Sequence, residues 1–208
     1  MPELEVFMTP MIVEENLNKG QYEKTPLLKK FGRNLLVRGR KVAKPGVQID
    51  INQERPKSLG SVRLRNSDPR EYPLIDPNYF SDPRDLEELV KGVGVMREIM
   101  SQNEISQYIN EEIHPWLNSN TRSEIIEAIK ITAYTGHHPC STAKMGAKND
   151  PMAVLDENLK VRGLNGLRVC DASAMPTQIT GNLYATVLAM AEKAADIILD
   201  KPPLKENL

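Results

Sequence analysis

Several features that mark common protein classes are scarce in these 208 residues. There are only two cysteines, Cys140 and Cys170, and they form no C-x-x-C motif, so a disulfide framework is excluded and either a reducing compartment or an absence of redox pressure is indicated. Aromatic residues make up 5%, which argues against a stacking surface for bases or sugars. The net charge of −1 provides no basic stripe, so nucleic-acid binding has little electrostatic support.

Long apolar runs are also missing. The apolar stretches are well short of the roughly 20 residues that a membrane span needs, and we expect no transmembrane segment. The first residues, MPELEVFMTPM, lack the positive start and apolar run of a secretory signal, which favours a cytoplasmic or mitochondrial protein. No dinucleotide fingerprint is visible, because GVGV at 92–95 has no third glycine and lies inside a helical pattern.

Apolar periodicity predicts three long helices, at residues 83–100, 122–133 and 183–199. Thr121 and Glu124 form a capping-box pattern before the second helix, and Asn182 is a plausible N-cap of the third. Strands are predicted where apolar and polar residues alternate or β-formers cluster, at 1–15, 34–37, 58–65 and 167–173. This mixture predicts an α/β (α+β) chain.

Two segments carry candidate chemistry. The first, TGHHPCSTAKMG at 135–146, contains two adjacent histidines and Cys140. A metal site is disfavoured because adjacent histidines in an extended segment point to opposite faces, and a cysteine nucleophile lacks a third orienting group. A histidine base or a buried loop without chemistry remain open.

The second segment, DASAMPTQITGN at 171–182, leads from the predicted strand into the last helix. Its small residues allow a planar ligand to approach the backbone, and a helix N-terminus suits a ligand that carries a negative oxygen. A plain strand-to-helix connection with a capping asparagine is the alternative.

The motifs HHPCSTAKMG, DPMAVLDENLKVRGLNGLRVCDASAMPTQITGN and RPKSLGSVRLRNSDPREYPLIDPNYF resemble the C-terminal region of the glucose–methanol–choline (GMC) family of FAD-dependent oxidoreductases, especially its choline-dehydrogenase-like members. The resemblance covers residues 4–198 in collinear order. It implies FAD as cofactor, a small-molecule alcohol as substrate, His138 as catalytic base and Asn182 as its partner, with His137 as a neighbour. It also implies cofactor contacts at Asp171, Ala172, Asn182 and Leu183, and no metal.

The resemblance also implies an arrangement of domains. Residues 1–135 would form a substrate-binding part, with a mostly antiparallel sheet and helices on one face. Residues 136–208 would hold the catalytic motif and the closing strand and helix of an FAD domain whose N-terminal G-x-G-x-x-G half is absent. We therefore expect the chain by itself to be inactive.

Three readings of such a chain remain open at the level of sequence. It is part of an FAD-dependent alcohol oxidoreductase, or a truncated non-catalytic fragment, or a subunit of a split enzyme that needs a partner with the G-x-G-x-x-G half. Non-redox lyase chemistry on the same fold is a further alternative.

Overall fold

The computed structural model describes residues 4–14, 43–112 and 119–202. Within this part of the chain there are two compact units. One contains residues 54–82 and 135–202, and the other contains residues 4–14, 43–53, 83–112 and 119–134. Residues 54–82 therefore group with the C-terminal part, although the sequence placed them in the substrate-binding part. The functional division between residues 1–135 and 136–208 stays a prediction.

The unit that starts at residue 4 begins with a long antiparallel pair of strands. Strand β1 (Leu4–Glu14) pairs with β2 (Ala43–Gln53), with Val6 opposite Ile51. Strand β1 confirms the strand predicted at 1–15, but the sequence patterns did not predict β2. Its apolar alternation starts just after Pro45 and Gly46, a pair that is typical of a turn. The strand predicted at 34–37 lies outside the described residues.

The described residues of this unit also form three helices: α1 (Pro83–Met100), α2 (Asn103–Ser106) and α3 (Arg122–Thr132). Helices α1 and α3 confirm two predictions, and the Thr121–Glu124 capping box is present at the start of α3. Close packing explains why the first position of the GVGV sequence, residue 92, is a glycine. A Cβ atom at Gly92 would lie 2.9 Å from Ile51 Cγ2 and 3.0 Å from Leu4 Cδ1, so α1 packs closely on the β1–β2 pair there.

The other unit has a short hairpin, in which β3 (Ser61–Arg63) pairs antiparallel with β4 (Leu74–Asp76). The strand predicted at 58–65 is thus present but shorter. Between β3 and β4, the backbone oxygen of Asp68 accepts the N–H of Glu71. Antiparallel pairing is confirmed, but the described residues form two separate two-stranded sheets rather than the single sheet that the sequence suggested.

In the unit that contains residues 54–82 and 135–202, the core joins the loops to the last helix, α4 (Tyr184–Ile198). The buried side chains of this core are Leu155, Leu159, Ala174 and Ala194. Arg162 holds the loop beside it by donating to the backbone oxygens of Gly146, Ala147 and Asp150. In the same loop, Lys144 lies 3.0 Å from Asp150 Oδ2, and this hydrogen bond lowers the pKa of the Asp150 carboxyl.

The strand predicted at residues 167–173 is wrong. Arg168 forms only an isolated antiparallel bridge with Lys160, supported by hydrogen bonds from Val161 N to Leu167 O and from Val169 N to Leu159 O. After these the chain turns into a 3₁₀ helix, Ala172–Ala174. The Asp171 carboxylate accepts the N–H of Ser173 and so stabilises that turn in place of a longer ladder.

None of the helices in the described ranges is long and apolar enough to cross a membrane.

Candidate active site

The two segments with candidate chemistry lie side by side. The N–H groups of Ser141, Ala143 and Met145 donate to the carbonyls of the 3₁₀ helix, Ala172, Ser173 and Ala174, at 3.2, 3.0 and 2.9 Å. These bonds fix the histidine segment relative to the loop that leads into α4.

The central contact of the site joins His138 and Asn182. Nε2 of His138 lies 2.6 Å from Oδ1 of Asn182. Because an amide oxygen only accepts hydrogen bonds, Nε2 carries the proton in this arrangement. His137 has a left-handed backbone, with φ of 63°, and its N–H donates to Thr135 Oγ1. The two adjacent histidines therefore have different roles in the structure.

Asn182 does not cap the last helix, so the predicted N-cap is wrong. The N-cap position is Leu183, which makes no side-chain capping hydrogen bond, and the first turn of α4 has no acidic residue. The amide of Asn182 contacts His138 instead. His138 and the helix N–H groups compete for the Asn182 side chain, and here the tertiary contact with His138 prevails over the local one.

The predicted cofactor-binding residues differ in what they offer. Asp171 Oδ1 accepts from Ser173, whereas Oδ2 accepts none of the hydrogen bonds found within the described residues and can take a ligand hydroxyl. The Ala172 carbonyl is occupied by the N–H groups of Ser141 and Met175. Leu183 is buried, at 5% exposure.

Cys140 has a structural contact. Its thiol donates to Gln178 Oε1 at 2.9 Å, and it accepts from Ser141 Oγ at 3.3 Å. These contacts add a side-chain link between the histidine segment and the loop before α4. Among the residues that the structure describes, no group of three or more His, Cys, Asp and Glu side chains could hold a metal ion.

Glu54 is a neighbour of the site that the sequence did not reveal. Its carboxylate accepts the N–H of Gly181, 127 positions away, and the residue is 7% exposed. In the sequence it stands in the polar stretch NQERPK, where nothing distinguishes a buried carboxylate from a solvated one. Only the tertiary structure brings it next to the residue that precedes Asn182.

Comparison with known proteins identifies the family of this chain. A family model described as GMC oxidoreductase matches residues 56–191, well over half of the chain. The chain belongs to the GMC oxidoreductase family. The family resemblance predicted from the sequence motifs is thereby confirmed.

Individual relatives agree with this assignment. The oxygen-dependent choline dehydrogenase of Vibrio vulnificus (strain YJ016) is 41% identical over 159 residues, which cover 76% of this chain and 28% of that protein. Choline oxidase of Arthrobacter globiformis is 38% identical over 170 residues, covering 81% and 31%. A solved FAD-dependent oxidoreductase from Chaetomium thermophilum aligns with a TM-score of 0.67 at 31% identity, covering 74% and 26%. The GMC chain thus spans about three-tenths of the length of these relatives.

FAD, the cofactor predicted from the motifs, is the cofactor that the family indicates. The residues of this GMC chain fit such a group. The first N–H groups of an α-helix lack partners within the helix and carry a partial positive charge. At α4 no side chain caps these groups and no acid in the first turn neutralises them, so they suit an electron-rich cofactor edge. Asp171 Oδ2 adds an acceptor for a cofactor hydroxyl.

Proposed function

We propose that this GMC chain supplies the catalytic pair of an FAD-dependent oxidoreductase that acts on the CH–OH group of a small alcohol. The contact between His138 Nε2 and Asn182 Oδ1 at 2.6 Å carries the proposal. It joins an imidazole, which can accept a proton, with an amide, which can hold an oxygen atom by a hydrogen bond, and alcohol oxidation needs both. FAD, when bound, accepts the hydride from the alcohol carbon.

In this proposal the substrate hydroxyl replaces the direct bond between His138 and Asn182. The neutral imidazole then carries its own proton on Nδ1, so the hydroxyl donates to the unprotonated Nε2, which takes the hydroxyl proton as general base. The Asn182 amide, turned to present Nδ2, donates to the same oxygen and holds the carbon in line. Asp171 Oδ2, the Ala172–Ala174 segment and the backbone at Asn182 and Leu183 hold the cofactor.

Choline or a choline-like primary alcohol is the proposed substrate class. The support is the identity of 41% and 38% to proteins named oxygen-dependent choline dehydrogenase and choline oxidase. Because the chain's own sequence has no G-x-G-x-x-G after a strand, we propose activity only together with a dinucleotide-binding half, whether on the same or a separate polypeptide. The 208 residues alone should be inactive.

The test is anaerobic mixing of choline with the flavin-loaded protein that carries this chain. We expect loss of the oxidised flavin absorbance, at a rate that His138→Ala lowers by about 10²-fold or more. His137→Asn is the matched control, because asparagine tolerates the left-handed backbone at that position and should keep the wild-type rate. An unchanged rate in His138→Ala would exclude His138 as the base. Absence of bleaching by any alcohol would overturn the oxidoreductase proposal itself.

A further inference from the structure

The buried carboxylate of Glu54 has an unusual environment. Glutamate is almost never this buried unless it is paired, because removing a charge from water is costly. Within residues 4–14, 43–112 and 119–202 no cation pairs with the Glu54 carboxylate. The carboxylate accepts a hydrogen bond from the backbone N–H of Gly181. The buried carboxylate therefore depends on this hydrogen bond to offset the cost of its burial.

The position of Gly181 gives this bond its importance. Gly181 has a φ of 86°, a left-handed conformation that glycine adopts without steric cost, and a Cβ atom there would meet nothing within 4 Å. The same freedom means that glycine restrains its neighbours weakly. The Glu54 carboxylate supplies a restraint that the residue itself does not.

Asn182 lies between two anchors. On one side the N–H of Gly181 is held by Glu54, and on the other the side chain of Leu183 is buried. Asn182 makes no capping bond to α4, so no local helix contact orients it. Its distance to His138 therefore depends on where these two neighbours are held.

We infer that Glu54 is a positioning residue for the His138–Asn182 pair, acting through the Gly181 N–H. The inference rests on the proposed function of that pair. Among the hydrogen bonds of the described residues, Glu54 has none to His138 or Asn182; it sets the backbone from which the Asn182 amide extends. Since misplacement by about 1 Å can cost about 10²-fold in rate, loss of this anchor should lower kcat by roughly 10-fold or more.

The test uses Glu54→Gln and Glu54→Asp in the flavin-loaded protein. The amide of Glu54→Gln keeps an acceptor at the same reach, so kcat per bound flavin should stay within about threefold of wild type. Glu54→Asp keeps the charge but is one methylene shorter, so kcat should fall by roughly 10-fold while KM for the alcohol changes less. The opposite order, with Gln impaired and Asp active, would mean that the charge matters rather than the anchor and would overturn the inference.

Hydrogen exchange of the Gly181 amide gives a second readout that does not depend on turnover. Exchange should be slow in wild type and Glu54→Gln and faster in Glu54→Asp. Asp85→Asn is the matched control, because Asp85 is also a buried carboxylate but lies in α1, where Gln53 donates to it. It should lower thermal stability without changing kcat per flavin.

The experiments distinguish a failure of the positioning role of Glu54 from a failure of the proposed function of the His138–Asn182 pair. If His138→Ala abolishes turnover but both Glu54 variants keep wild-type kcat and slow Gly181 exchange, the positioning role is wrong and the catalytic pair stands. If the Glu54 variants lose only stability, with kcat per flavin unchanged, Glu54 is a structural residue and the inference is overturned. If His138→Ala itself has no effect, the function of the pair is wrong, whatever the Glu54 variants do.

Discussion

Oδ1 of Asn182 lies 2.6 Å from Nε2 of His138, although 44 positions separate the two residues in the chain. Three backbone bonds between residues 141–145 and the Ala172–Ala174 turn bring the two segments together. The Cys140–Gln178 bond adds a side-chain link between them. The contact is therefore built into the fold of a single compact unit, which is what a preorganised pair requires.

Removing the Asn182 amide should impair turnover and leave the cofactor in place. We expect Asn182→Ala to lower kcat by about 10²-fold, because a donor to the reacting oxygen is lost. Asn182→His keeps an N–H donor near this position and should retain part of the activity. Stopped-flow reduction measures the rate, and flavin absorbance measures cofactor content. Loss of flavin from Asn182→Ala would instead make Asn182 a cofactor-binding residue.

Truncating the core of the same unit should destabilise it strongly. Leu155 is fully buried at 0% exposure, and Leu155→Ala should lower the free energy of unfolding by about 2–5 kcal/mol through lost burial and a residual cavity. The neighbouring Val154 is 38% exposed, so Val154→Ala should cost much less. Denaturant unfolding measures the free energy of unfolding of the two variants. Equal losses would contradict the core described here.

The capping box of α3 can be tested in the other unit. Thr121 Oγ1 accepts the N–H of Glu124, and Glu124 Oε2 accepts the N–H of Thr121. Thr121→Ala leaves a helix N–H without its acceptor and should cost about 1 kcal/mol, whereas Thr121→Ser keeps the hydroxyl and should cost little. Hydrogen exchange of the Glu124 amide should be accelerated only in the alanine variant. Acceleration in both variants would show that the hydroxyl is not the relevant acceptor.

Tyr134 should titrate unusually late. Partial burial, the negative charge of Asp50 and the hydrogen bond from Tyr134 Oη to Asp50 Oδ1 raise the pKa of the phenol to about 12 from its ordinary value of 10.0. A pKa raised by folding means that the stabilisation is fully present below pH 10 and is lost as the pH rises towards 12. Phenolate absorbance should show one late-titrating tyrosine, and Tyr134→Phe should remove it. A Tyr134 phenol whose pKa stays at the ordinary value of 10.0 would contradict the contact with Asp50.

The sequence alone determined the local elements that depend on near neighbours. Periodicity predicted α1 and α3 almost to the residue, because an amphipathic stripe and a capping box are local properties. The family motifs predicted the GMC membership and FAD, because they are long and collinear. Strand β2 was not predicted, although apolar residues alternate with polar ones over Val47, Ile49 and Ile51.

Tertiary structure decided what depends on distant partners. Residues 167–173 have the composition of a strand but find only an isolated bridge, because a strand needs a neighbour to complete its ladder. Asn182 contacts His138 rather than capping α4, since one amide cannot serve both, and no local rule states which partner it takes. The importance of Glu54 could be recognised only from the structure, in which its carboxylate is buried and accepts the N–H of Gly181. Burial depends on how the whole chain packs and not on the neighbouring residues in the sequence.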